Sequence, residues 1–152
     1  MTMRQNFCEI PIENATDEEV KEILTKYKVI AVVGMSRNPE KDAHKVPKYL
    51  MEHGYKIIPV NPFAEEILGL KAYKDLEDIK EPVDIVDIFR PPEEVMDIVK
   101  KAVKIKANVV WMQKGIVKNA AADYAREHGL KVVMDKCMMV EHMKLVKEGV
   151  LK

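Results

Sequence analysis

Segments of largely continuous apolar sequence alternate along this chain with segments whose apolar residues recur at helical spacing. Continuous apolar runs are typical of strands buried on both faces of a parallel sheet. Helical spacing, as at Val95, Ile98, Val99 and Ala102, predicts amphipathic helices that cover such a sheet. The predicted strands are 29–33, 56–60, 83–89, 108–111 and 130–134, with a short strand near 71–73, and the predicted helices are 17–27, 43–53, 93–106, 119–128 and 140–148.

Start and stop signals support these helices. Thr16 and Glu19 stand at the two positions of a capping box, in which each side chain bonds the backbone of the other residue. Pro47 falls near the first turn of the second helix, where proline is tolerated, and Gly54 follows that helix as its C-terminal cap. Pro92 opens the third helix.

The order of the elements predicts the fold class. Strands separated by helices of about ten residues imply right-handed crossovers and a mostly parallel sheet. We therefore expect an α/β fold, with one doubly wound domain over residues 16–152 and an N-terminal arm over residues 1–15. The domain has a sheet of five to six strands flanked by helices, and no internal repeat interrupts it.

Composition narrows the class of protein. The 152 residues are 47% hydrophobic and 33% charged, which is typical of a globular domain. The 25 basic and 25 acidic residues give no net charge, which argues against a general nucleic-acid binder, and no apolar run is long enough to span a membrane. Because the N-terminus lacks the apolar core of a signal peptide, we expect a cytoplasmic protein. There, Cys8 and Cys137 are expected to be free thiols rather than a disulfide, and no metal site is expected.

The first predicted strand runs directly into Gly34 and a short polar loop before the next helix. Phosphate-bearing ligands bind at this place in doubly wound proteins, against backbone amides and a helix N-terminus. The loop has one glycine rather than the three of G-x-G-x-x-G, and it lacks the G-K-[ST] of a P-loop. The second strand ends in Val60-Asn61-Pro62, without the acid that binds the ribose of NAD. Both departures weaken the interpretation as an NAD site.

Loops that follow the predicted strands meet at one edge of the sheet. Ordinary turn chemistry explains any one of them, but the set favours a site for a large phosphorylated ligand, with Arg37 or Lys41 near its phosphates. The loop residues are Gly34, Met35, Ser36, Arg37, Asn38 and Lys41 after the first strand, Asn61, Pro62 and Phe63 after the second, Arg90, Pro91 and Pro92 after strand 83–89, Gln113, Lys114 and Gly115 after strand 108–111, and Asp135, Lys136 and Cys137 after the last.

Five sequence blocks carry a resemblance to a known family. They are VVGMS at 32–36, GYKIIPVNP at 54–62, VDIVDIFRPP at 83–92, VVWMQKG at 109–115 and VVMDKC at 132–137. In this order they resemble the CoA-binding protein family, whose members are similar to the N-terminal CoA-binding domain of succinyl-CoA synthetase α chains. The resemblance covers about residues 20–145, and the five blocks together are specific where each alone is weak.

The resemblance implies a Rossmann-like domain that binds coenzyme A or an acyl-CoA, as a monomer or small homo-oligomer. The loop of Gly34, Met35, Ser36 and Arg37 would then hold the pyrophosphate. By position, Val60, Asn61 and Pro62 would flank the nucleotide end, Phe89, Arg90 and Pro91 would line the cleft, and Trp111, Gln113 and Gly115 would lie toward the pantetheine arm. Because Trp111 continues a predicted buried strand, we also expect it to be a core residue.

Two hypotheses of function stay open. The first is a stand-alone CoA-binding module with no chemistry of its own. The second is an enzyme, either a nucleotide-dependent oxidoreductase or a catalyst that uses the Cys137 thiol on acyl-CoA or CoA disulfide. Lys136 and the start of a helix could lower the pKa of that thiol. The remaining candidates are expected to be structural: Asp84 and Asp87 in their strand, and His44, His53, His128 and His142 at surface or cap positions, with His142 kept open as a partner of Cys137.

Overall fold

Strands and helices alternate along residues 9–152, the part of the chain that the computed structural model describes. Residues 1–8 of the predicted arm, and with them Cys8, lie outside it. The helices and strands are α1 Asp17–Lys26, β1 Val29–Val33, α2 Asp42–Glu52, β2 Lys56–Val60, β3 Glu66–Ile67, β4 Leu70–Lys71, a 3-10 turn at Leu76–Asp78, β5 Ile85–Ile88, α3 Pro92–Lys104, β6 Val109–Met112, α4 Asn119–Glu127, β7 Lys131–Val133 and α5 Met138–Lys147.

Five parallel strands form the main sheet, in the spatial order β2-β1-β5-β6-β7. A single parallel bridge between Val60 and Tyr73 adds a sixth position beyond β2. There the Tyr73 amide donates to the Pro59 carbonyl over 2.9 Å, and the Asn61 amide donates to the Tyr73 carbonyl over 2.8 Å. With this bridge the order is that of a Rossmann-like sheet, and it reverses between β1 and β5. The predicted fold class is confirmed.

Successive residues of each strand pack into two separate cores. Ile30 and Val32 of β1 lie in the core covered by α1, α2 and α5, whereas Ala31 lies in the core covered by α3 and α4. This alternation follows from the two-residue period of a strand. Both cores are apolar, which explains why the strand sequences are continuous apolar runs rather than alternating ones.

Apart from the 71–73 segment, the predicted helices and strands are confirmed to within two residues at each end. In that region the structure has a hairpin of β3 and β4 before the bridge at Tyr73, instead of one short strand. The turn residues Leu68 and Gly69 both have positive φ, 54° and 75°. Two consecutive residues with positive φ form the two-residue turn of many β-hairpins, where asparagine followed by glycine is usual. Here the glycine is present but leucine replaces the asparagine, so the sequence did not indicate a hairpin.

Residues 9–15 run alongside α4 and the end of β7. The Ile12 amide donates to Asn119 Oδ1 over 2.9 Å. The Asn14 side chain both donates to the Met134 carbonyl and accepts from the Met134 amide, each over 2.9 Å. The helices of this described part are all too short or too polar to cross a membrane.

The expectation that all four histidines lie at surface or cap positions is wrong for two of them. His142 is 2% exposed and lies between α5 and α2, where its Nδ1 is 2.8 Å from the Tyr49 hydroxyl oxygen. His44 is also buried, and its Nδ1 lies 2.8 Å from the Ser36 carbonyl oxygen. Each imidazole has a polar partner inside the fold, which is why burial is tolerated.

Asp87 is the buried acid of the sheet. It lies in β5 with no exposed surface, and its Oδ1 accepts a 2.6 Å hydrogen bond from Gln113 Nε2. Within residues 9–152, Oδ2 has no hydrogen-bond partner. Burial raises the pKa of Asp87 to about 7, although the bond from Gln113 acts in the opposite direction. The Asp87 side chain thus bonds the loop after β6, and burial keeps the carboxyl group neutral over the acidic range.

We predict that Asp87→Asn flattens the pH dependence of stability. Because the folded protein binds the Asp87 proton more tightly than the unfolded chain, the wild type loses unfolding free energy as the pH rises from about 4 to about 7. The loss between pH 5 and pH 8 is roughly 3 kcal/mol. Urea unfolding at both pH values measures it. If wild type and Asp87→Asn differ in unfolding free energy by the same amount at pH 5 and at pH 8, the raised pKa of Asp87 is contradicted.

Candidate functional site

A cavity of about 650 Å³ opens at the carboxyl edge of the sheet, where the strand order reverses between β1 and β5. Its volume lies in the range of about 300–1,000 Å³ that ligand sites occupy. The walls come from the loop after β1, the loop after β2, the segment after Tyr73, the Phe89–Arg90 turn and one face of α3. Ligands of open α/β sheets bind at this place, since loops on either side leave a crevice there.

Of the fifteen candidate ligand contacts that the strand ends and the family resemblance together select, most meet at this cavity. Nine of them line it: Gly34, Met35, Ser36, Lys41, Val60, Asn61, Pro62, Phe89 and Arg90. The other six lie elsewhere: Arg37, Pro91, Trp111, Gln113, Gly115 and Cys137. The loops after β1, β2 and β5 therefore line the cavity, whereas the loops after β6 and β7 do not.

The residues that lie away from the cavity have structural partners. Trp111 is fully buried and donates from Nε1 to the Lys136 carbonyl over 2.8 Å. Gln113 is buried between Asp87 and the Met138 amide, which donates to Gln113 Oε1 over 3.3 Å. The Gly115 amide donates to Asp135 Oδ1 over 2.7 Å. These contacts join the loops after β6 and β7 to each other and to α5.

Arg37, Pro91 and Cys137 also lie outside the cavity. Arg37 and Pro91 are exposed, and Pro91 immediately precedes α3 as its N-cap residue. Cys137 is a half-buried free thiol that immediately precedes α5.

Phe63, one of the residues selected from the strand ends, also lines the cavity and is 82% exposed at its rim. The structure adds cavity residues that the sequence did not select. Apart from Val33 and Ala43, they come from the segment after Tyr73 and from α3: Lys74, Asp75, Leu76, Glu93, Glu94, Asp97, Ile98 and Lys101. The sequence pattern that could have indicated the α3 residues is the polar stripe at positions 94, 97 and 101, because this spacing places the three side chains on one face of the helix.

Gly34 is required by the close approach of two chain segments. It has φ of +89°, and a Cβ placed there would lie 2.7 Å from both the Phe89 carbonyl oxygen and Arg90 Cδ. Real Cβ atoms do not tolerate such contacts, and a positive φ adds strain for any other residue. The glycine therefore lets the loop after β1 pass directly against the turn after β5.

Asn61 fixes the shape of the loop after β1. Its Nδ2 donates to the Met35 carbonyl over 2.8 Å, and its Oδ1 accepts from the Phe63 amide over 2.7 Å. Both ends of the amide are thus used between the two loops. In this position an asparagine supplies a donor and an acceptor at once, which an aspartate cannot do.

Pro47 contributes to the same loop from within α2. The expectation that Pro47 falls near the first turn, where proline is tolerated, is wrong, because the helix begins at Asp42 and Pro47 is interior. A proline has no amide hydrogen, which leaves the carbonyl four residues earlier without its helical donor. That carbonyl belongs to Ala43, and it accepts the Ser36 amide over 3.1 Å. The proline thus makes a helix carbonyl available to hold the loop.

We predict that Pro47→Ala loosens this attachment without unfolding the helix. Alanine restores an amide donor that competes with Ser36 for the Ala43 carbonyl, and alanine is a good helix former. The Ser36 amide should exchange its hydrogen about 5-fold faster, as expected for weakening one hydrogen bond. Hydrogen exchange followed by NMR measures this, with Lys48→Ala on the same helix as the control. Equal Ser36 exchange rates in the two variants would count against this role.

The charges of the cavity fall into paired and unpaired sets. Arg90 donates from Nε and Nη2 to the two carboxylate oxygens of Glu94, over 3.0 and 2.8 Å, and these hydrogen bonds lower the pKa of Glu94. Lys101 Nζ lies 2.6 Å from Asp75 Oδ1. Among the described residues, Lys41 and Lys74 have no carboxylate within 4.0 Å. Two cations of the cavity are therefore available for a ligand.

Metal chemistry has no cluster of ligands to support it in this part of the chain. Across residues 9–152, no three His, Cys, Asp or Glu side chains come together in an arrangement that could hold an ion. The charged side chains that line the cavity are instead four cations, Lys41, Lys74, Arg90 and Lys101, and four carboxylates, Asp75, Glu93, Glu94 and Asp97. Arg90 and Lys101 are paired with carboxylates, and the two lysines left unpaired suit an anionic group of a ligand.

The strand order and the position of the cavity define the class of this protein as a Rossmann-like α/β domain with a cavity at the switch point. Comparison with known families makes the assignment specific. The model of the CoA binding domain family matches residues 28–143, and the chain belongs to this family. The resemblance inferred from the five sequence blocks is thereby confirmed.

Relatives of two kinds share the domain. The uncharacterized protein YneT of Bacillus subtilis is 41% identical over 131 residues, which cover 86% of this chain and 97% of YneT. A solved structure of a hypothetical protein from Pyrococcus horikoshii OT3 is 47% identical, with a TM-score of 0.85 over 91% of this chain and 97% of that chain. An ADP-forming acetate–CoA ligase of Methanocaldococcus jannaschii is 28% identical over 119 residues, covering 73% of this chain and 17% of the ligase.

Proposed function

We propose that this protein binds coenzyme A or an acyl-CoA in the cavity at the switch point, with the pyrophosphate against the Gly34–Ser36 loop. The observation that carries the proposal is the position of that loop, pressed against the Phe89–Arg90 turn at the mouth of a 650 Å³ cavity. Membership of the CoA binding domain family supports the choice of ligand.

The amides of the loop divide into those used by the protein and those left for a ligand. Gly34 donates to the Val60 carbonyl over 3.0 Å, and Ser36 donates to Ala43. The Met35 amide has no protein acceptor within the described residues. Lys41, at the N-cap of α2, is an unpaired cation of the same cavity. An amide, a cation and the N-terminal end of a helix together favour a phosphate group.

The polar side chains of the cavity favour a binding protein over a catalyst. Asn61 is held between two loops, Arg90 is paired with Glu94, and Lys101 is paired with Asp75. Side chains that are fixed in this way shape a site and orient a ligand. The thiol of Cys137, on which the alternative enzymatic hypothesis rests, lies outside the residues that line the cavity.

Calorimetric titration with CoA, acetyl-CoA, ADP and NAD tests the proposal. We expect CoA and acetyl-CoA to bind at one site, at least about 10-fold more tightly than ADP or NAD, because they add contacts beyond the diphosphate. Tight binding of NAD without binding of CoA would overturn the proposed ligand.

A variant of the Arg90–Glu94 pair locates the ligand in the cavity. Glu94→Gln removes an anion and frees the guanidinium for a phosphate, so CoA should bind about 5-fold more tightly, corresponding to ~1 kcal/mol for one exposed charge pair. Glu77→Gln is the matched control, since Glu77 pairs with Lys104 over 3.2 Å and does not line the cavity. Unchanged affinity in both variants would place the ligand elsewhere.

A further inference from the structure

The end of β2 is the place where dinucleotide folds bind the ribose of a ligand. In this chain the residue at that place is Asn61, a neutral amide whose Nδ2 donates to the Met35 carbonyl and whose Oδ1 accepts from the Phe63 amide. An anionic substituent on the ribose is best bound by a cation, which Asn61 does not supply. The structure offers one from a different segment, which the Val60–Tyr73 bridge brings alongside β2.

That group is Lys74, which directly follows the bridge. Lys74 lines the cavity, and its Nζ lies 3.5 Å from the Pro62 carbonyl oxygen, at the limit of a hydrogen bond. The ammonium group thus stands over the loop that follows β2, held only weakly. Within residues 9–152 it has no carboxylate partner, although Asp75 is its chain neighbour, because Asp75 is engaged by Lys101 and by the Glu77 amide.

The cavity therefore presents unpaired cations from two separate segments. Lys41 lies at the start of α2, beside the loop after β1, and Lys74 comes from the segment that pairs with β2. A simple diphosphate has one anionic centre and needs one of these positions. A ligand with a pyrophosphate and a separate phosphate monoester on its ribose would use both.

We propose that Lys74 is a specificity-determining residue that binds a phosphate monoester on the ribose of the ligand. The inference rests on the proposed CoA site and deepens it, because the 3′-phosphate distinguishes CoA from dephospho-CoA. An ammonium group on a flexible stem suits a dianionic phosphate as a point charge. Since Lys74 is exposed at the rim, its contribution is screened by salt.

Binding of CoA and of 3′-dephospho-CoA to three proteins tests the inference. The wild type should bind CoA about 10-fold more tightly than dephospho-CoA, a ratio expected for a phosphate paired with a cation. Lys74→Gln should reduce that ratio to about 2-fold by weakening CoA alone, with dephospho-CoA unchanged. Lys71→Gln is the matched control, because Lys71 lies over the Tyr73 ring at 4.8 Å and does not line the cavity.

The outcomes separate this inference from the proposed function. Equal binding of the two ligands by the wild type, or an equal loss of both in Lys74→Gln, would overturn the role of Lys74 and leave the CoA site in place. A failure of the wild type to bind either ligand would overturn the proposed function itself. A CoA preference that falls to about 2-fold in Lys74→Gln, and that also falls in the wild type at high salt, supports the assignment. Thermal unfolding of each variant confirms that the substituted proteins are folded.

Discussion

The close approach of Gly34 to the Phe89–Arg90 turn is the constraint on which the site depends. With φ of +89° and no room for a Cβ, Gly34 allows the chain leaving β1 to lie directly against the chain leaving β5. The two strands are neighbours in the sheet, and the order of strands reverses between them. A doubly wound sheet has a crevice at this point. Here the contact between the loop after β1 and the Phe89–Arg90 turn forms one wall of that crevice, and the cavity lies beside the loop.

The loop after β1 is fixed by protein groups on both of its sides. Asn61 holds the Met35 carbonyl from one side, and the Ala43 carbonyl holds the Ser36 amide from the other. The second contact exists because Pro47 leaves that carbonyl without its helical donor. A loop held from both sides before the ligand arrives loses little conformational entropy on binding. The proline inside α2 thus helps to hold the loop of the proposed site in place.

Much of this was predictable from sequence, because continuous apolar runs and helical spacing report burial directly. The fold class, the cavity residues after β1, β2 and β5, and the importance of Gly34 all follow from them. The segment containing Lys74 could not be assigned, since the Tyr73 bridge that places it is a single pair of residues without a strand pattern. Trp111 lies in β6 and Gln113 directly follows it, and nothing in their spacing shows that they bond to the Lys136 carbonyl and to Asp87. Burial of His142 depends on its meeting Tyr49 across two helices, a contact between residues far apart in the chain.

The central claim is that the nucleotide end of a CoA ligand lies against the Gly34 loop. An NMR titration of the isotopically labelled protein with CoA tests it most directly, because each backbone amide reports its own surroundings. The account predicts that the amide signals of Gly34, Met35, Ser36 and Arg90 shift together and saturate at one equivalent of CoA, while that of Gly129, at the far end of α4, stays in place. Saturable shifts that leave the Gly34 and Ser36 signals unmoved would contradict it.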